Sequence, residues 1–232
     1  MGERTPHETL MRRFLQNPMS PEQVEKRSFE TIDAEAPSHS FSADEWKVVR
    51  RMIHASADFS LVGDIRFSPG AVDAAVAALS SGAPIYVDAN MIRAGLSSAR
   101  IKQVNSKYEE GRVVCHVADS DVAAAAKQAG LPRSIFAVQK ARKMLEGGIA
   151  VFGNAPLALL ELNRMIVEEG VRPAFVIAMP VGFVHVVESK DELAGIGVPY
   201  ISVSGRRGGS PLAISAVHAL CSIAERRMRR NT

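Results

Sequence analysis

Short apolar segments that alternate with helical stretches constrain the fold of this chain more than any other feature. Five such segments read as buried strands, at residues 84–88, 112–118, 149–152, 175–178 and 199–203. Helical patterns lie between them, and this alternation predicts parallel strands joined by right-handed crossovers. We therefore expect an α/β domain with a doubly wound, mostly parallel sheet and helices on both faces.

Local signals predict where two early helices begin. Ser42 followed by Glu45 is the pattern of a capping box, in which each side chain bonds to the backbone of the other residue. Ser68-Pro69 combines an N-cap residue with proline at the first helical position, so a helix is expected from there to Leu79.

Similar signals predict later helices. Gly153-Asn154-Ala155-Pro156 indicates a helix start with Asn154 as the N-cap, and this helix is expected to end at Gly170. Helices are also expected over residues 24–35 and 132–145, where the polar and apolar residues are spaced for a helix.

Composition and length bound the class of protein. The chain has 232 residues, of which 47% are hydrophobic, and this suits one globular domain with a short extension. Residues 1–20 are polar and predict an N-terminal arm, with a single domain over 21–232. Cys115 and Cys221 are too few for a disulfide framework or a zinc site and are expected to be buried thiols.

Charge and hydropathy argue against several partners. The net charge is +3, and the basic run 226–230 is typical of a solvated helix end. Aromatic residues make up 6% of the chain and do not interleave with basic ones, as a nucleic-acid surface would require. No apolar run approaches the ~20 residues of a membrane span, and the N-terminus lacks a signal-peptide core. We expect a cytoplasmic protein that binds neither nucleic acid nor membrane.

The expected sheet places four loops together, because ligands of such sheets bind beyond the carboxyl ends of the strands. These loops are 88–93, 153–156, 179–183 and 204–210. The turn Pro180-Val181-Gly182-Phe183 interrupts the chain directly after a strand, in a way that folding alone does not require, so it is a candidate part of a site.

The loop 204–210 carries Arg206, Arg207 and two adjacent glycines between a strand and a helix. Glycines allow close approach, a helix N-terminus offers free N–H groups, and arginines add positive charge. The Lys-Ser/Thr pair of a P-loop is absent, so carboxylates are as good a ligand as phosphates. A glycine-rich turn without a ligand fits the same pattern.

His54 lies beside an apolar helix stripe that contains Trp46 and Ile53. From the residues alone, both a structural hydrogen bond and proton transfer are open to this imidazole. Asp88 and Glu188 are expected to be a turn residue and a helix-start charge. The absence of a Gly-x-Ser-x-Gly elbow argues against a serine hydrolase.

Seven short motifs follow one another along the chain. They are residues 27–32, 51–54, 67–70, 82–85, 153–156 and 180–184, and Gly205-Arg206 with Gly208-Gly209-Ser210. Each is weak alone. In this order, from about Pro21 to Leu220, they resemble the precorrin-8X methylmutase family, in particular the cobalt-precorrin-8 methylmutases of cobalamin (vitamin B12) biosynthesis.

The resemblance implies an isomerase that moves a methyl group from C-11 to C-12 of a corrin-precursor macrocycle, giving hydrogenobyrinate or, with cobalt, cobyrinate. It also implies a flavodoxin-like fold, a homodimer with sites near the subunit interface, and neither a redox cofactor nor a bound metal. A non-catalytic corrinoid-binding or carrier protein is the alternative. An enzyme that acts on a nucleotide or phosphorylated ligand is a weaker one.

The resemblance further implies the roles of individual residues. His54 matches the family histidine, a general acid that protonates the macrocycle near the migrating methyl group. Ser28, Arg133 and Ser134 match motif residues that contact the substrate carboxylates or the ring. The remaining expected substrate-binding residues come from the loops and suit a macrocycle rimmed with carboxylates: Asn154, Pro180, Gly182, Phe183, Arg206, Gly208, Gly209 and Ser210.

Overall fold

The computed structural model of the protein describes residues 9–108 and 111–230. The chain divides into two compact units, and the boundary along the sequence lies between Ala36 and Pro37. The sequence interpretation placed its boundary after residue 20, and residues 1–8 of that expected arm lie outside the described part.

The first unit contains helices α1 (Leu10–Gln16) and α2 (Pro21–Glu35). Ser20 begins α2 through a capping box with Gln23, and Pro21 occupies the first turn. The helix expected over residues 24–35 therefore forms, with an earlier start.

The second unit contains a single six-stranded sheet within the described residues. Its strands are β1 (Ile65–Phe67), β2 (Ile85–Val87), β3 (Val113–Val114), β4 (Ile149–Phe152), β5 (Phe175–Ala178) and β6 (Tyr200–Val203). They lie in the order β1-β6-β5-β4-β2-β3, and all neighbours are parallel except the antiparallel edge pair β1–β6. Without β1, the five parallel strands follow the flavodoxin-like order 2-1-3-4-5.

The helices of the second unit cover this sheet. They are α3 (Ala43–Ser56), α4 (Leu61–Asp64), α5 (Ala71–Ser81), α6 (Asn90–Gly95), α7 (Ser98–Val104), α8 (Ser120–Ala129), α9 (Arg133–Lys140), α10 (Arg142–Leu145), α11 (Pro156–Glu169), α12 (Val186–Ile196) and α13 (Ser210–Arg230). Helix α13 packs against α3, α5 and α7, while α11 packs against α9 and α12. Two groups of helices thus cover the sheet, as the doubly wound pattern predicts.

The core beneath α11 shows why the strands had no alternating pattern. Tyr86 of β2, Phe152 of β4 and Val176 of β5 are buried in one cluster with Leu159 and Leu162 of α11. All four residues of β4 and of β5 are buried. Strands covered on both faces read as continuous apolar runs, which is what the sequence showed.

One predicted helix start is confirmed and another is wrong. Ser42 and Glu45 form the expected capping box of α3. Helix α5 instead begins at Ala71, and Ser68 does not cap it. The Ser68 hydroxyl accepts the N–H of Tyr200 at 2.8 Å, because β6 passes beside this turn.

Three other elements differ from the sequence prediction. The helix expected over 132–145 divides at Ala141 into α9 and α10. The N–H of Ala141 donates to the carbonyls of both Ala137 and Val138. The strand expected over 112–118 is reduced to Val113–Val114, an edge strand that pairs with β2 alone. Strand β1 was not predicted, because only one of its three residues is buried.

Two expectations from composition can be compared with the structure. Cys115 and Cys221 are buried free thiols, as predicted. Among the described residues, no helix has the length and apolarity needed to cross a membrane.

Candidate active site

The turn 179–183 and the loop 204–210 are joined by backbone hydrogen bonds, as the expected sheet requires. The N–H of Gly209 donates to the carbonyl of Met179 at 2.8 Å, and the N–H of Gly182 donates to that of Arg206 at 3.3 Å. Gly208 fits between them because it has no side chain. A Cβ there would lie 2.3 Å from the Met179 oxygen and 2.5 Å from the Pro180 oxygen.

The loops after β2 and β4 are joined by one buried carboxylate. Asp88 is 1% exposed and accepts the N–H groups of Gly153 at 3.0 Å, Asn154 at 2.9 Å and Ala155 at 2.7 Å. Burial raises the pKa of this carboxyl, while the three N–H donors act in the opposite direction.

This contact corrects two predictions. Asn154 does not cap α11; Ala155 occupies the N-cap position, and Asp88 supplies the acceptor from a distant part of the chain. Asp88 is therefore not a local turn residue. Glu188 does lie in the first turn of α12, as expected. The switch point between β2 and β4, where doubly wound folds commonly bind ligands, is occupied by the protein's own carboxylate.

Gly153 connects these loops to the start of α13. A Cβ at Gly153 would lie 2.9 Å from the Cα of Ser210, so backbone approaches backbone there. Ser210 is buried at that point. The four loops that the sequence placed together are thus neighbours, and Asn154 is exposed among them.

An open cleft lies beside the turn 179–183 and the loop 204–210, which follow β5 and β6. It has a volume of about 390 Å³. Its lining comes from the end of α3, the segment 58–61, the turn 179–183, the loop 204–210 and the start of α13. The lining residues are Ala55, Ser56, Asp58, Leu61, Val181, Arg207, Gly208, Pro211 and Leu212. This cleft is called the open cleft below.

His54 lies in the last turn of α3, directly before two residues that line the open cleft. Its side chain is exposed. The helix ends at Ala57, which has a left-handed backbone with φ of 53°. The sheet thus brings the end of a helix from early in the sequence next to the turn at Val181 and the loop at Gly208.

The two loop arginines have different surroundings. Arg207 donates to Ser60 Oγ and to Asp64 Oδ2, each at 2.8 Å, and also pairs with Asp58. The Ser60 hydroxyl and N–H, together with Arg207, hold the pKa of Asp58 below its ordinary value. Arg206 is exposed, and its guanidinium lies 5.7 Å from the ring centre of Phe183. Arg207 therefore braces the loop, while Arg206 faces solvent.

Apolar side chains border the open cleft without being covered. Phe183 is 84% exposed and Val184 is 68% exposed. Large exposed apolar groups beside a cleft are typical of a surface that a ligand or a partner covers.

One further residue, not predicted from the sequence, lies beneath the loop. Lys190 of α12 is 4% exposed, and its Nζ donates to the carbonyls of Gly205 at 2.9 Å and Arg207 at 2.6 Å. The spacing of Val186, Lys190 and Leu193, which places all three on the buried face of α12, is the signal that could have identified it.

The expected residues outside the four loops and α3 lie in α2 and α9. Ser28 lies in α2 of the first unit, where its hydroxyl donates to the carbonyl of Val24 at 2.9 Å. Arg133 and Ser134 open α9, and Arg133 lines a different cleft together with Lys127 and other residues of α8. Within the described residues, no group of three or more His, Cys, Asp or Glu side chains is arranged to hold a metal ion.

Comparisons with known proteins point to one family. The sequence model of the precorrin-8X methylmutases matches residues 23–223. The cobalt-precorrin-8 methylmutase of Leptospira interrogans is 40% identical, over 89% of this chain and 96% of its own length. The precorrin-8X methylmutase of Pseudomonas aeruginosa is 43% identical, over 87% of this chain and 95% of its own.

A solved structure agrees with these relatives. The crystal structure of the precorrin-8x methyl mutase from Thermus thermophilus superimposes with a TM-score of 0.81 at 44% identity, covering 89% of this chain and 97% of that one. The fold and nearly the whole length are therefore shared. The chain belongs to the precorrin-8X methylmutase family.

Proposed function

We propose that this chain is a precorrin-8X or cobalt-precorrin-8 methylmutase, an isomerase of cobalamin biosynthesis that moves a methyl group from C-11 to C-12 of the macrocycle. One observation carries the proposal. The end of α3 that bears His54 lines the same open cleft as Val181 of the turn and Gly208 of the loop. Three of the seven motifs, 51–54, 180–184 and 205–210, thus line this cleft or lie directly beside its lining.

His54 is the general acid of the proposed reaction. Its imidazole donates a proton to the macrocycle near C-11, which makes the conjugated ring electron-poor and eases the shift. The C-11–methyl bond breaks as the C-12–methyl bond forms, and the proton then returns from the ring. No atom or electron is gained or lost, so the step needs no redox partner.

The rest of the cleft binds and orients the macrocycle. The exposed Arg206 guanidinium pairs with a carboxylate of the substrate, and the N–H of Gly208 donates to another. Gly209, whose N–H donates to the carbonyl of Met179, holds the loop beside the turn. Phe183 contacts the flat apolar face of the ring. Asn154, Pro180, Gly182 and Ser210 shape the neighbouring loops. Ser28, Arg133 and Ser134 are proposed as substrate contacts from the motif match alone.

The active form is proposed to be a homodimer. A cleft of about 390 Å³ lies near the lower end of the range of ~300–1,000 Å³ for small-molecule sites, and a tetrapyrrole macrocycle is a large ligand. Phe183 and Val184 are exposed at its border. A second copy of the chain would cover these side chains and enlarge the site. Sedimentation should give twice the mass of 25.0 kDa.

A non-catalytic corrinoid carrier, the alternative from the sequence, is not supported, because the relatives that match are named as methylmutases. Turnover separates the two functions. An enzyme converts many equivalents of precursor, whereas a carrier gives at most a stoichiometric change in visible absorption.

The decisive experiment compares wild type with His54→Ala. Precorrin-8X and its cobalt-loaded form are supplied in large excess, and the visible absorption is followed. Wild type should turn over at least one of them, and His54→Ala should lower kcat by ~10²–10⁴, the usual contribution of a general acid. His39→Ala is the matched control, since His39 is exposed and stacks on Trp46 instead.

Two results would contradict the proposal. Wild-type protein that gives no more than one equivalent of product is not a methylmutase. His54→Ala with the kcat of wild type would remove the acid role of His54 while leaving the activity in place.

A further inference from the structure

We propose that Lys190 is a positioning residue for substrate binding: from beneath the loop 204–210 it turns the peptide N–H groups of Arg206 and Gly208 outward, where they bind a substrate carboxylate. This role rests on the proposed function and deepens it. It adds a residue outside the open cleft to the binding machinery.

The first step of the argument is the direction of three successive carbonyls. Those of Gly205 and Arg207 accept from Lys190 Nζ, and that of Arg206 accepts from the N–H of Gly182. All three therefore point toward protein donors and away from solvent.

The second step is peptide geometry. The described residues contain no cis peptide bond, and in a trans peptide the carbonyl of one residue and the N–H of the next point in opposite directions. The N–H groups of Arg206 and Gly208 consequently point away from the buried Lys190. Among the hydrogen bonds of the described residues, neither N–H has a protein acceptor. Gly208 itself lines the open cleft.

The third step is charge. A buried ammonium is costly unless it is hydrogen-bonded, so a lysine is an unusual choice for a purely structural bond. Beneath the loop, its positive charge also favours an anion on the outer side. Backbone N–H groups that point to the same side of a loop can form an anion site.

The surroundings of Lys190 make its charge sensitive to alkaline pH. Burial lowers its pKa to about 8, against the opposing charges of Asp191 on α12 and Asp64 on α4. Arg207, whose carbonyl accepts from Lys190, pairs through its guanidinium with Asp64 and Asp58. Above pH 8 the ammonium of Lys190 loses its charge.

The test is a kinetic comparison of Lys190→Met with Lys140→Met, using whichever precursor wild type converts. Lys140 is the matched control, because it is a partly exposed lysine of α9 that pairs with Asp119 and Asp121. Lys190→Met should raise KM about tenfold or more, the loss expected for a charge-assisted hydrogen bond, with kcat within about threefold of wild type. Lys140→Met should change neither.

A second measurement needs no variant, in case Lys190→Met does not fold. The KM of wild type should rise severalfold between pH 7 and pH 9, as Lys190 loses its proton. A KM that stays flat over this range overturns the role of Lys190. So does a Lys190→Met protein that loses kcat at unchanged KM, since that is the mark of fewer folded molecules. Wild type that neither binds nor converts a precursor overturns the proposed function itself.

Discussion

Two neighbouring parts of the sheet edge differ in what fills them. At the switch point between β2 and β4, the carboxylate of Asp88 occupies the N–H groups at the start of α11. Beside β5 and β6 the edge is open, and the carbonyls of its loop are held from below by Lys190.

The difference shows that topology alone does not decide which part of the sheet edge is free to take a ligand. The fold offers an anion-binding helix N-terminus at the switch point, and this chain uses it internally for stability. We propose that the N–H groups that face the ligand lie instead in the loop 204–210. We call the switch point at Asp88 the closed part and the edge beside β5 and β6, with the loop 204–210, the open part. Substitutions in the closed part should therefore change mainly the stability of the protein. Substitutions in the open part should change mainly substrate binding.

The largest effect should come from Gly208→Ala, where the two loops of the open part meet. Its Cβ would lie 2.3 Å from the Met179 oxygen, so backbone must move. We expect a loss of about 3 kcal/mol in the free energy of unfolding, measured in urea, together with loss of substrate binding.

Gly195→Ala is the matched control. Gly195 lies in α12 with nothing within 4 Å of an added Cβ. Its substitution should stabilise the protein by about 0.5–1 kcal/mol. Equal unfolding free energies for the two variants would show that the loops do not need this close approach.

Asp88→Asn should have the next largest effect, in the closed part. The amide keeps the shape but cannot accept all three N–H groups, and we expect a loss of ~2–3 kcal/mol in the free energy of unfolding. The KM of the remaining folded enzyme should stay near that of wild type. Asp121→Asn, at an exposed position, serves as the control. A large rise in KM for Asp88→Asn, without loss of stability, would place substrate at the switch point.

Arg206 and Arg207 allow an effect on stability to be compared with an effect on substrate binding within one loop. Arg207→Ala removes bonds to Ser60, Asp58 and Asp64, and should cost about 1 kcal/mol of stability because the pairs are partly exposed. Arg206→Ala should leave stability unchanged within ~0.5 kcal/mol and raise KM about tenfold. Urea unfolding measures the stability of both variants, and steady-state kinetics measures their KM. An effect of Arg206→Ala on stability alone would contradict it.

Acid should weaken the contact between α13 and the start of α7 through His218. Its Nε2 accepts the N–H of Ser97 at 3.0 Å, and burial, with Arg100 and Arg51 nearby, lowers its pKa to about 4. Because the folded pKa lies below the ordinary value of ~6.5, the contribution to stability is complete above pH 6.5 and is lost as the pH falls toward 4.

His218→Gln tests this directly, since a Gln oxygen can accept the same N–H without titrating. The free energy of unfolding of the variant should depend less on pH between 6.5 and 4 than that of wild type. Identical pH dependence of the two proteins would exclude His218 as the group that titrates.

The sequence predicted most of the sheet because its strands are buried on both faces. Residues 149–152 and 175–178 are apolar throughout, and both segments form strands with those bounds. The antiparallel β1 was missed, since Arg66 at its centre is exposed and the segment is too short for a pattern.

The parts of the site that sequence reasoning missed depend on residues far apart in the chain. Asn154 has the right type for an N-cap, yet Asp88, which follows the neighbouring strand β2, supplies the acceptor. Arg206 and Arg207 look equivalent in sequence, and only Arg207 meets the carboxylates of Asp58 and Asp64. Local propensity does not contain such contacts, which arise when the sheet brings loops together.

A structure of the protein with a bound corrinoid tests the central claim most directly, because it locates the macrocycle at one part of the sheet edge or the other. The account predicts the ring over the open cleft, within reach of His54, with a carboxylate on Arg206 and another on the N–H of Gly208. A macrocycle seated at the switch point, with Asp88 displaced from the N–H groups of residues 153–155, would contradict it.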